Sequence, residues 1–132
     1  MQTIWDPLRQ KNVALTPEER VRQSLISYLR DVKSYPPVLM MSEVSLKYGQ
    51  KPFRADLVVY DRGGHPMMIA ECKRPDVIID EKVVRQALVY SAVISVRYIV
   101  LSNGVATYVY GRGADGRFVA LNDLPAYETA IK

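Results

Sequence analysis

"RADLVVYDRGGHPMMIAECK", residues 54–73, decides the fold. Two apolar runs flank the turn-rich "DRGGHP" at 61–66, and the pattern predicts a β-hairpin. Asp56 and Glu71 stand equally far from a centre at Gly63-Gly64. A symmetric turn of two or four residues therefore sets them directly opposite one another, with Cβ atoms roughly 5 Å apart. Strand alternation brings Lys73 to the same face, whereas a bulge would break the register. Two opposed carboxylates destabilise a sheet unless a divalent cation between them reverses the local electrostatics. Without a cation, one of them is expected to keep its proton above the usual range. Hard oxygen ligands point to Mg²⁺, with Mn²⁺ as a substitute. A lysine beside them can orient a metal-bound water or stabilise charge growing on phosphate oxygens. The plain alternative is an exposed ion pair of Lys73 with either acid.

Upstream, "TPEERVRQSLISYLRDV" at 16–32 has the signs of a helix start. Thr16 suits the N-cap, Pro17 the first helical position, and Glu18 and Glu19 the positive end of the helix dipole. Val21, Leu25, Ile26, Leu29 and Val32 form an apolar stripe, and Pro36-Pro37 stops any continuation. "VLMMSEVSLKYG" at 38–49 reads as a strand. Downstream, a helix is expected over 81–95 and a second hairpin over 96–111, with Asn103-Gly104 as a type I′ turn. The tail offers one short strand. The expected order is α-β-β-β-α-β-β: an α/β fold with a central sheet flanked by helices, forming a single domain over 1–132.

Composition excludes several classes. The chain has 132 residues, 48% of them hydrophobic and 24% charged, as in ordinary globular proteins. No apolar run approaches the ~18 residues of a membrane helix. The first residues have no apolar leader segment, and a single cysteine suits a reducing compartment, so a cytoplasmic protein without membrane contact is expected. A net charge of +4 leans toward a polyanionic partner.

The chain resembles the PD-(D/E)xK nuclease superfamily, with its restriction-endonuclease-like core and central mixed β-sheet. "TPEERVRQ", "RADLVVYD", "AECKRPDV", "QALVY" and "LSNG" stand in the order of the N-terminal nuclease domain of type I restriction enzyme R subunits. Two departures are visible: Ala55 replaces the proline before Asp56, and no GxxxxGK[ST] P-loop is present, so the ATP-driven motor is missing. The resemblance implies a Mg²⁺-dependent endonuclease domain acting on DNA. Asp56 and Glu71 would hold the metal, and Lys73 would position the attacking water. It also implies an acid from the first helix at the metal. Glu18 and Glu19 both qualify, and Glu18, on the stripe of Val21, Arg22, Leu25 and Leu29, is preferred. Gln86 and Tyr90, at i and i+4 of the second helix, would line the site. Arg22, Arg54 and Arg74 are the candidate phosphate contacts. Other restriction-modification subunits are the implied partners, and pairing of two copies is compatible with the superfamily. The alternative is a non-catalytic nucleic-acid-binding or assembly module that keeps the nuclease fold.

Other residues offer less. Cys72 alternates to the opposite face and reads as a buried small hydrophobe. His65 stands in a turn without a zinc partner, Trp5 is expected to cover the core edge, and "GRGADGR" at 111–117 lies after a hairpin, unlike a phosphate loop.

Overall fold

The computed structural model describes residues 1–48, 51–91 and 94–132, leaving aside the side chains at 48, 51, 90 and 91. The chain begins with a small hairpin that the sequence reading missed: β1 (Thr3–Asp6) pairs antiparallel with β2 (Lys11–Ala14). Its turn contains no glycine. Instead Asp6 accepts the Leu8 N–H at 2.9 Å, and Gln10 takes a positive φ of 52°. Trp5 therefore lies in a strand, opposite Asn12, and is 56% exposed, so it does not cover the core edge.

Helix α1 (Pro17–Asp31) starts as its sequence requires. The Thr16 hydroxyl accepts the Glu19 N–H at 3.1 Å, and proline fills the first turn, where its missing N–H has no helical partner to lose. A short 3₁₀ turn at Pro37–Leu39 leads into β3 (Met40–Tyr48). Then come β4 (Lys51–Tyr60), β5 (Pro66–Cys72), α2 (Glu81–Ser91), β6 (Tyr98–Ser102), β7 (Thr107–Arg112), β8 (Phe118–Leu121) and α3 (Tyr127–Ala130). Gly49, at the end of the expected first strand, and positions 92–93 of the expected helix 81–95 lie outside the described residues.

Strands β3 to β8 form one six-stranded sheet in sequence order. All neighbours run antiparallel except β5 and β6, which are parallel and joined through α2. The sheet is thus mixed and flanked by helices, an α/β layer arrangement; β8 is the short strand expected in the tail, and β1, β2 and α3 are additions to the expected order. One face packs α1 and α3 through Ile26, Leu29, Leu57, Met68, Tyr127 and their neighbours. The other packs α2 over Val58, Ile69, Ile99 and Leu101. Burying each of these aliphatic side chains contributes roughly 2 kcal/mol, and both layers are needed to cover the two-sided strands β5 and β6.

The central hairpin reaches the expected register by an unexpected route. Asp61 N–H bonds to the His65 carbonyl at 2.9 Å, leaving a three-residue tip, 62–64, and Tyr60 pairs with Pro66. Met67 is then bulged out of the ladder, after which Val59↔Met68, Val58↔Ile69 and Leu57↔Ala70 follow the register that sets Asp56 toward Glu71. The odd tip and the bulge cancel. The second hairpin also differs from expectation. Gly104 has φ 85°, whereas Asn103 is not among the positive-φ residues, so the turn is not type I′. The Asn103 side chain instead organises a four-residue loop, accepting the N–H groups of Val105 and Ala106 at 2.9 and 2.7 Å.

Candidate active site at a fork in the sheet

Beyond Leu57↔Ala70 the β4–β5 ladder stops, while β4 stays paired with β3 as far as Tyr48↔Lys51 and β5 stays paired with β6 as far as Cys72↔Ser102. The sheet forks there, and Asp56 stands at the branch point. Its Oδ2 accepts the Cys72 backbone N–H at 2.7 Å, a carboxylate doing the work of the absent backbone ladder. The strand also turns over at this point. Leu57 and Val59 pack with α1, yet Phe53 and Ala55 pack with the α2 layer, which strict alternation forbids. On β3 the same reversal passes through Glu43, whose φ is 55°. Ser42↔Leu57 and Val44↔Ala55 flank it, so Glu43 and Asp56 occupy opposite positions on the two strands at the kink, where the ladder skips a pair.

Glu71 pairs with Leu101 of β6 and points into the α2 side. A cleft of about 210 Å³ opens over it, lined by Phe53, Arg54, Lys73, Val83, Gln86 and Ala87, among others. Burial, the neighbouring Asp56 charge and a hydrogen bond to Asp56 push the Glu71 carboxyl up to about 7, against the opposing charge of Lys73. Its Oε1 is buried without a hydrogen-bond partner among the described residues. Lys73 is half-buried at the rim, its backbone N–H tied to the Ser102 carbonyl at 2.8 Å.

The first helix contributes differently from expectation. Glu18 is exposed, and Glu19 is the acid that turns inward, 5% exposed. The buried face of α1 is centred on Arg22, Ile26 and Leu29, which carries Glu19 inside and leaves Glu18 in solvent. Glu19 takes two bonds from Arg22, at 3.0 and 2.9 Å, one from Arg9 at 2.6 Å and one from Gln23 at 3.2 Å. Burial works against its ionisation, but these donors hold its carboxyl below the ordinary 4.5. Arg22 is likewise mostly buried. It spends its donors on Glu19 and, at 3.3 Å, on the Asp56 carbonyl, and so supports the branch point rather than reaching outward to a phosphate. Arg9 also bonds the fully buried Asp6.

Arg54 and Gln86 are exposed at the cleft, whereas Arg74 is exposed beyond it and pairs with Asp76 at 3.2 Å. Tyr90 falls within α2, and its side chain lies outside the described residues. Cys72 packs in the α1 layer, and burial together with the Asp56 charge pushes its thiol up to about 12. His65 is exposed in the turn beside Asp61.

Asp6 and Glu43 escaped the sequence reading. The glycine at 49 was a readable turn signal, and centring a hairpin on Gly49-Gln50 would have set Glu43 opposite Asp56. No comparable signal marked Asp6.

Among the described residues no group of three His, Cys, Asp or Glu side chains converges on a metal position. The donor chemistry still suits Mg²⁺ at Asp56 and Glu71. That cation commonly takes one or two carboxylates and completes its shell with water and phosphate oxygens, and the unpaired Glu71 Oε1 is a ready ligand. The fit stops there, because Glu19 is committed to arginine.

The family "Type I restriction enzyme R protein N terminus (HSDR_N)" matches residues 17–125. The chain belongs to this family. Its structure is similar to that of a DUF820 protein from Anabaena variabilis ATCC 29413, provisionally described as a nuclease. That likeness has a TM-score of 0.58 at 13% identity and covers 92% of this chain and 78% of the other, which establishes a shared fold. The type IIG restriction endonuclease BpuSI is similar at a TM-score of 0.48 and 17% identity, over 83% of this chain and 13% of that one. No curated protein matches. The restriction-enzyme R N-terminal domain, on a nuclease-like fold, thus brings Asp56, Glu71 and Lys73 to one fork, with the N-terminal hairpin 3–14 added outside the matched segment. Among the described residues no helix is long and apolar enough to cross a membrane.

Proposed function

We propose that this domain hydrolyses DNA phosphodiester bonds as a Mg²⁺-dependent endonuclease. The observation that carries the reading is the pair Asp56 and Glu71 at the fork, with a buried, unpaired carboxylate oxygen and a lysine at the rim. Asp56 and Glu71 would hold Mg²⁺, which when bound supplies positive charge to the phosphate and acidifies a water. Lys73 holds the attacking water and opposes the negative charge that develops on the phosphate oxygens. Gln86 offers its amide to a phosphate oxygen from the facing helix, and exposed Arg54 binds the backbone beside it. Cys72 anchors Asp56 through its backbone N–H, and Arg22 fixes the Asp56 carbonyl, so the carboxylate is aimed before substrate arrives. Membership of the restriction-enzyme family supports DNA as the substrate and other restriction-modification subunits as partners.

The test is incubation with supercoiled plasmid and Mg²⁺ or Mn²⁺. Nicking or linearisation is expected, and loss of it in Asp56→Asn and on adding EDTA. Cleavage by Asp56→Asn at the wild-type rate would refute the reading.

A further inference from the structure

We infer that the Glu43 carboxylate holds the seat of a DNA backbone phosphate, and that Arg54 and Arg9, with Arg22 behind them, form a phosphate subsite one strand over from Asp56. The inference rests on the reading of the chain as a DNA-binding nuclease domain and adds where the backbone is gripped.

Three guanidiniums from three separate elements converge on this one side chain. Arg54 Nη2 of β4 lies 3.0 Å from it, Arg22 Nη2 of α1 3.6 Å and Arg9 Nη1 of the N-terminal turn 3.7 Å. Arg9 and Arg22 are already anchored by the buried Asp6 and Glu19, whereas the Glu43 side chain is 39% exposed, so Glu43 is the one carboxylate of the cluster that an arriving anion can displace. Its backbone sits at φ 55° inside a strand, a conformation that costs a non-glycine residue on the order of 1–3 kcal/mol. Such strain is expected where a side chain must be delivered to a particular place.

The charges explain the exchange. Asp6, Glu19 and Glu43 balance Arg9, Arg22 and Arg54, so displacing Glu43 alone leaves one unmatched positive charge. A phosphodiester carries one negative charge and two free oxygens, the same charge and acceptor fork as a carboxylate. Arg54, with 65% of its side chain exposed, can turn to an arriving phosphate, and Arg9, held in place by Asp6 and Glu19, presents the Nη1 that faces Glu43. Arg22 stays on Glu19 and the Asp56 carbonyl and contributes its field. Because Glu43 stands at the position opposite Asp56 on the neighbouring strand, the seat belongs to a phosphate neighbouring the one at the cleft.

The measurement is fluorescence anisotropy of a fluorescein-labelled duplex with the full chain in EDTA, where no cleavage intervenes. Glu43→Gln should tighten binding about fivefold, the size of one charge-assisted contact at a half-exposed site, and steepen the salt dependence by about one counterion. In an Arg54→Ala background the same change should gain less than about twofold, since neighbours in one network are not additive. Glu18→Gln removes an equal charge from the exposed face of α1 and should also move affinity by less than about twofold, which separates the subsite from general repulsion. Unchanged affinity in Glu43→Gln, a gain that survives Arg54→Ala, or an equal gain in Glu18→Gln would overturn the inference. If Glu43→Gln does not fold, Glu43→Gly suits the positive φ and carries the same measurement. A protein that binds as expected but never cuts with Mg²⁺ keeps the subsite and loses the nuclease reading; one that cuts while Glu43→Gln binds unchanged does the reverse.

Discussion

Replacing Glu71 by glutamine should make the metal-free protein more stable, and only above a definite pH. In the folded chain the Glu71 carboxyl is pushed up to about 7, and in the unfolded chain it returns to the ordinary 4.5. The native state therefore holds this proton more tightly. Stability from that source is full below pH 4.5, falls as pH rises through about 7, and is flat beyond. At about 1.4 kcal/mol per pH unit, the cost of ionising Glu71 beside Asp56 reaches about 3 kcal/mol in alkaline solution. Glutamine keeps the shape and never ionises. Thermal or urea unfolding of both proteins in EDTA, from about pH 4 to about pH 9, should give curves that meet at the acid end and separate by up to about 3 kcal/mol, or roughly 10 °C, at the alkaline end. Mg²⁺ should close the gap by stabilising the wild type alone. Parallel pH profiles, or a variant less stable at pH 9 than the wild type, would refute the opposed-carboxylate reasoning.

Lys73→Ala should lose plasmid cleavage while keeping the Mg²⁺-dependent rise in melting temperature, because its charge acts on the reacting groups and not as a ligand. Asp56→Asn should lose both, and at saturations near a hundred times Kd the wild-type rise corresponds to about 2.7 kcal/mol. Asp6→Ala strips the Arg9 guanidinium and the Leu8 N–H of a buried acceptor and should cost about 2 kcal/mol in urea unfolding, despite lying outside the matched segment. The Cys72 thiol, buried and pushed up to about 12, should resist iodoacetamide near neutral pH until the protein unfolds, and rapid labelling of the native chain would contradict the packing.

The sheet core was legible because its signals are local. Apolar runs, turn residues and a capped helix fix α1, β3 to β7 and α2 within a few positions. The N-terminal hairpin was not legible, since its strands are four residues long and its turn relies on an Asp6 side chain and a positive φ at Gln10 rather than on glycine. The closeness of the Asp56 and Glu71 side chains could be read from counting alone, yet the count worked only because the bulge at Met67 offsets an odd tip. Glu19 was passed over for Glu18 because an apolar stripe gives a helix's inward face only to within about one residue. Of the partners that settled the question, Arg22 stands three residues along the same helix, whereas Arg9 reaches Glu19 through tertiary structure. Glu43 depended on a strand reversal that no periodicity announces.

The bulge at Met67 separates two jobs that most hairpins combine. The packing of Met67 and Met68 in the α1 layer decides which way Glu71 points, and the tip at Arg62–Gly64, exposed throughout, decides nothing about it. For protein engineering this makes the tip an insertion site. A peptide tag or a fluorophore-bearing segment can be spliced between Gly63 and Gly64 while the chain beyond the bulge keeps its phase, giving a handle on the domain at the opposite end of the hairpin from the chemistry.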